Sequence, residues 1–167
     1  MAALIDNTTS MYLRDDTPAS EPRYSVRYYF DPNSLTMANG DTHAIFTARN
    51  NTTDILRLDF GFISGSYQVR VYLRTDTAAT ITNWVALTDA AHAIELDWAA
   101  ASGPGVNNGS LSLWIDGAQV ANLTGLDNDT HRIEQARLGP YVGIDAATSG
   151  TEYFDAYVSG RSSYIGP

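Results

Sequence analysis

The chain has no cysteine and no lysine. Without a thiol it builds no disulfide scaffold, no thiolate metal site and no cysteine nucleophile. All ten basic residues are therefore arginine, and of the 19 acidic residues only four are glutamate. The near-absence of the charged helix formers, beside plentiful Asp, Thr, Asn and Gly, is the composition of strands and turns. No apolar run approaches the ~18 residues of a membrane span, so no membrane insertion is expected. The start, Met1 to Asp6, has no basic segment followed by an apolar stretch, so no signal peptide is expected within this chain. A formal charge of −9 argues against nucleic acid as a partner, because phosphate rewards a basic surface.

What remains is 167 residues, 44% of them hydrophobic. That length suits one domain over 1–167, burying roughly 70% of its extended surface, with a flexible tail over 160–167. The hydrophobic period is two almost throughout. Tyr24, Val26, Tyr28 and Phe30 alternate with Arg23, Ser25, Arg27 and Tyr29. Similar alternation runs through 54–60, 67–74, 93–98 and 111–116, and each run predicts a half-buried strand. Further strands are predicted near 11–14, 43–48, 84–87, 118–123, 133–138 and 153–159. Trp98 falls on a core face. Turn signals separate the runs, among them Ser64-Gly65-Ser66 and Asp116-Gly117. Asp-Gly between two alternating runs predicts a tight hairpin. Many short strands with tight turns predict an all-β, antiparallel two-sheet sandwich.

The stretch GSLSLWIDGAQVANLTGL over 109–126 resembles the strand–Asp-Gly–strand hairpin of laminin-G-like jelly rolls in the concanavalin A-like lectin/glucanase superfamily. HAIELDW over 92–98 resembles the strand before that hairpin, and GTEYFDAYVS over 150–159 resembles the closing strand. The resemblance implies two curved antiparallel sheets, with an opening strand within 6–16 that pairs with the closing one. Its members include glycan-binding and adhesion modules of large bacterial secreted or surface proteins, and also glycoside hydrolases and polysaccharide lyases.

A glycoside hydrolase needs two carboxylates flanking the scissile bond. Glu95-Leu96-Asp97 begins the glucanase pattern, but Ala99 and Ala100 stand where the third carboxylate belongs. A lyase needs a Tyr or His base with basic and amide groups to neutralise a uronate. No Gln-x-His motif occurs, and His43, His92 and His131 are isolated, which reads as surface or strand-edge histidines. The expectation is therefore a non-catalytic module rather than an enzyme.

The outward strand positions favour binding. They carry Arg27, Tyr29, Arg57, Asp59, Arg70, Tyr72, Arg74 and Trp114. Tyr and Trp rings stack on the C–H faces of sugars, while Arg and Asp hydrogen-bond hydroxyls. The competing reading is cross-strand pairing, worth roughly 0.2–1 kcal/mol per pair. In sugar-binding jelly rolls of this kind a structural calcium ties the first strand to the last. The resemblance thus implies Asp155 as a calcium ligand with Asp6, Asp15 or Asp16. The expectation is a carbohydrate-binding or adhesion module of a secreted or cell-surface protein, with a glycan or cell-surface partner and neighbouring domains. The alternatives are a structural protein–protein interaction module and, further off, a glycan-cleaving hydrolase or lyase.

Overall fold

The computed structural model describes residues 1–166. Thirteen strands follow in chain order: β1 (Ala2–Ile5), β2 (Leu13–Asp15), β3 (Arg23–Asp31), β4 (Thr42–Arg49), β5 (Asp54–Ile63), β6 (Ser66–Arg74), β7 (Ala79–Ile81), β8 (Val85–Ala86), β9 (His92–Ala99), β10 (Gly109–Ile115), β11 (Ala118–Leu126), β12 (Gln135–Leu138) and β13 (Gly150–Gly160). They form two antiparallel sheets. One has six strands in the order β1-β13-β3-β9-β10-β11; the other has seven, β2-β12-β4-β5-β6-β7 with β8 also on β6. This is a jelly-roll sandwich, as the alternation predicts, and no helix occurs among the described residues.

The period of two does the folding work. Tyr24, Val26, Tyr28 and Phe30 of β3 are all fully buried and meet Phe46, Phe60 and Phe154 from the opposite side and from β13. Phe30 packs on Phe60 with ring centroids 4.9 Å apart and on Phe154 at 5.3 Å. Each such ring contributes roughly 1.5–3 kcal/mol by leaving water. Trp98 is buried in the same core. The two tight hairpins need left-handed backbone at both central residues, and Ser64–Gly65 (φ 53 and 83) and Asp116–Gly117 (φ 51 and 79) adopt it.

Three expectations change. The opening strand that pairs with β13 is β1, not a strand within 6–16; Ala2 faces Tyr153 and Ile5 faces Gly150. The residues 13–15 join the other sheet through β12. His43 is not a surface histidine but a core residue, 1% exposed. The segment after Gly160 lies against the six-stranded sheet: Ile165 and Gly166 donate to Glu95, and Arg27 donates to Gly166.

Candidate functional site

The eight residues picked from the sequence do not share one groove. Arg27, Tyr29 and Trp114 lie on the outer face of the six-stranded sheet, on β3 and β10. Arg57, Asp59, Arg70, Tyr72 and Arg74 lie on the outer face of the seven-stranded sheet, on β5 and β6. The sandwich thickness separates the two groups. Sequence periodicity finds outward positions but not which sheet they belong to.

The seven-stranded face is the more basic. Register places Arg14, Arg137, Thr47, Arg57, Tyr72 and Ile81 in one row across six strands. Asp59 faces Arg70 in the next row, and Gln135 faces Arg49. Six of the ten arginines thus stand on one face of an acidic chain. Three carboxylates pair with them. Asp16 sits 2.6 Å from Arg14, Asp54 3.0 Å from Arg49, and Asp59 lies between Arg57 at 2.6 Å and Arg70 at 3.4 Å. Burial works against the charge of Arg57, but the Asp59 hydrogen bond together with the nearby Asp59 and Asp54 charges outweighs it and raises its pKa. Asp59 is therefore a positioning group that fixes two guanidiniums side by side.

Aromatic rings hold three of these arginines flat. Trp84 covers Arg70 at 4.4 Å and Tyr72 covers Arg57 at 5.0 Å. Arg137 is held between Tyr12 and Tyr141, 4.7 Å from each ring, and those rings meet edge to face at 5.2 Å. Gln135 Oε1 accepts from Arg137 Nε at 2.8 Å, and the Tyr141 hydroxyl oxygen accepts from Arg49 Nη1 at 3.1 Å. Stacked guanidiniums keep their in-plane N–H groups pointing outward, in the geometry that suits a carboxylate. Sequence reading missed Tyr12, Arg14, Arg49, Trp84, Arg137 and Tyr141. The Gln135-Ala136-Arg137 alternation was a usable signal, but Tyr141 follows Gly139-Pro140 and has no strand pattern of its own.

A cleft of about 560 Å³ opens at one side of the sandwich, between β2 and β13, lined among others by Leu13, Asp15, Leu138 and Tyr157. Tyr157 O–H donates to Asp15 at 3.1 Å and pairs with the Tyr24 hydroxyl at 2.6 Å. Burial, then the Tyr24 and Asp15 neighbours, pushes the Tyr157 phenol far up, so it stays protonated.

The histidines are not isolated in space. His92 Nδ1 meets Asp116 Oδ2 at 2.7 Å, and Nε2 meets Thr88 Oγ1 at 2.8 Å. Asp116 also accepts from the Ala93 backbone, so this cluster ties the β10–β11 turn to the start of β9.

Asp6 and Asp155 do not form a metal site with each other. Asp155 lies five residues past Gly150, the partner of Ile5, which is about 17 Å along the strand. The acidic group that does gather is Asp76, Asp127 and Asp129, with one oxygen of each within 4.8 Å of the others. Partial desolvation and then the neighbouring Asp76 and Asp127 charges raise the Asp129 carboxyl.

The fold is a two-sheet antiparallel jelly roll. No protein-family model matches the chain, and no curated protein matches it in sequence. Solved structures do. The chain is similar to an endo-β-1,4-glucuronan lyase from the fungus Trichoderma reesei at 13% identity and a TM-score of 0.64, over 96% of this chain and 79% of that one. It is similar to the alginate lyase Aly36B at 12% identity and TM-score 0.62, over 92% and 78%. The globular domain of calreticulin from T. cruzi follows at 12% and TM-score 0.56, over 92% and 71%. Polysaccharide lyases head these likenesses, and they overturn the expectation of a non-catalytic binding or adhesion module. That expectation rested on a missing glucanase triplet and a missing Gln-x-His, which test only two local sequence patterns.

Proposed function

We propose that the chain cleaves an acidic, uronate-containing polysaccharide by β-elimination on the outer face of its seven-stranded sheet. The observation that carries this is charge placement: a chain of net charge −9 puts six of its ten arginines beside four aromatic rings on one face. A polyanion is the ligand that such a face selects.

The Arg49–Arg137–Tyr141 corner is the reactive part. A guanidinium on the uronate carboxylate neutralises it and makes the C5 proton removable. The tyrosinate form of Tyr141 takes that proton. The C5–H electron pair becomes the C4–C5 double bond, the C4–O4 bond breaks, and Tyr141 returns the proton to O4. No water is consumed and nothing is oxidised. A polysaccharide substrate supports a location outside the cell or on its surface. Calcium at Asp76, Asp127 and Asp129 would be structural in this reading, since those carboxylates lie on loops outside the Arg49–Arg137–Tyr141 corner.

The test is ultraviolet absorbance of the unsaturated product during incubation with polyglucuronate, polymannuronate and polyguluronate. The wild-type chain generates product on at least one of them. Tyr141→Phe lowers the rate by about 10²–10⁴-fold, as loss of a proton-transfer group does. No product from any of the three sinks the reading, and an unimpaired Tyr141→Phe sinks the assignment of Tyr141.

A further inference from the structure

The opposite face is already occupied, by the chain itself. Segment 161–166 leaves β13 and crosses the outer side of the six-stranded sheet. The Tyr164 ring lies on Trp114 with centroids 4.8 Å apart and 39° between planes. Arg27 and Glu95 are register partners on β3 and β9. The two Glu95 oxygens accept the backbone N–H groups of consecutive residues, Ile165 and Gly166, the second at 3.1 Å. Arg27 Nη1 donates to the Gly166 carbonyl. Glu95 is only 3% exposed beneath this cover, and Arg27 Nε is buried with no protein partner among the described residues.

We propose that Arg27, Glu95 and Trp114 form a subsite for a neutral hexopyranose, and that segment 161–166 is a resident mimic which such a glycan displaces. Each contact of the segment has a counterpart in a sugar. Two adjacent N–H groups on one carboxylate copy two adjacent ring hydroxyls. A flat ring on the Trp114 indole stands where a pyranose would lay its C–H face. A carbonyl oxygen on Arg27 copies a ring or hydroxyl oxygen, and the idle Nε has one more donor to give.

The surroundings decide the charge of the ligand. Glu95 and Asp155 stand on this face and repel a uronate carboxylate, while Asp97 is paired with Arg23 at 2.6 Å. Beyond Trp114 lies an amide and hydroxyl row, with Gln119 donating to Ser112 at 3.0 Å and Ser112 donating to Asn122 at 3.2 Å. Tyr29, two residues along β3 from Arg27, stays 40% exposed. That surface reads hydroxyls and lacks the clustered arginines of the other face.

The segment is built to leave at one point. Arg161 is anchored, with Nε 3.2 Å from Glu21 and its guanidinium over the Tyr24 ring at 4.8 Å. Ser162 and Ser163 are exposed and make no side-chain hydrogen bond among the described residues, and Tyr164 beyond them is 40% exposed. Two free serines between an anchor and a dock make a hinge. The inference does not depend on the lyase reading, because it concerns the other sheet and an uncharged ligand.

The experiment uses the full chain, with cellohexaose and mannohexaose as probes. Amide exchange at Ile165 and Gly166 is followed by NMR. Saturating sugar should raise exchange at both amides and open the bond after Arg161 to trypsin. Tyr164→Ala should bind sugar about tenfold more tightly than wild type, since an aromatic contact no longer competes. Trp114→Ala should bind none. The proposal is overturned if Tyr164→Ala binds neither sugar, or if sugar binds wild type with both amides unchanged. Binding of the peptide acetyl-Ser-Ser-Tyr-Ile-Gly-amide to Tyr164→Ala, with neither sugar bound, overturns it in favour of a peptide clip.

Discussion

His43 and Glu152 meet in the middle of the sandwich, Nε2 to Oε2 at 3.1 Å, with both side chains fully buried. His43 comes from β4 and Glu152 from β13, so the contact joins the two sheets. The second atoms of the pair, His43 Nδ1 and Glu152 Oε1, have no protein partner among the described residues, and the Tyr28 hydroxyl is buried unpartnered as well. Removing one member strands the other. We expect Glu152→Ala to cost about 3–5 kcal/mol in urea unfolding. The double variant His43→Leu/Glu152→Leu should cost less than that single change. A double variant that is worse than Glu152→Ala would show that the pair is net stabilising.

Gly109 has no room for a side chain. A Cβ there would sit 1.9 Å from Asn128 Oδ1. That oxygen accepts from the Ala101 backbone at 2.7 Å, and Asn128 is fully buried. Gly109→Ala must push Asn128 off its partner, at a cost of about 1–3 kcal/mol. Thermal unfolding of Gly109→Ala beside Asn128→Ala checks this, since both should fall by a similar amount.

Asp15 gives the acid dependence. Burial alone would raise its carboxyl, but the Thr17 and Tyr157 hydrogen bonds outweigh burial and hold it below the usual value. A carboxyl depressed in the folded state stabilises the fold above its unfolded pKa of about 3.9. That contribution fades as pH falls through the lower folded value. Asp15→Asn should therefore be less stable than wild type at neutral pH, with the gap closing as pH falls below the unfolded value and through the lower folded one. A gap that persists in acid would assign the loss to packing instead.

Salt separates the two faces. Retention on immobilised polyglucuronate should weaken steadily with sodium chloride and vanish near 1 M, where the screening length is about 3 Å. Arg70→Ala should weaken retention and leave it less sensitive to salt. Neutral hexasaccharide binding to Tyr164→Ala should barely respond to salt, because no net charge is exchanged.

Much of the fold was legible in the sequence. The period of two marked Tyr24, Val26, Tyr28 and Phe30 as inward, and the Asp116-Gly117 pair marked the hairpin. Short strands were harder. Ala2–Ile5 carries only four residues of alternation, and Ala79–Ile81 only three, so neither stands out from a loop. Of the site, outward Arg57, Arg70 and Tyr72 were legible because they lie on long alternating strands. Arg49, Tyr12 and Tyr141 were not, since their partnership comes from sheet pairing and from extended segments with no pattern.

By itself the sequence determined which side chains face in and which face out, since strand geometry alternates them locally. It also determined an all-β sandwich and a chain without thiol chemistry. Only the tertiary structure decided which outward residues share a face. Sheet membership depends on pairing between strands far apart in the chain, such as β2 with β12 and β13 with β3. That pairing gathered six arginines on one side and left Arg27, Glu95 and Trp114 on the other, under the chain's own last residues.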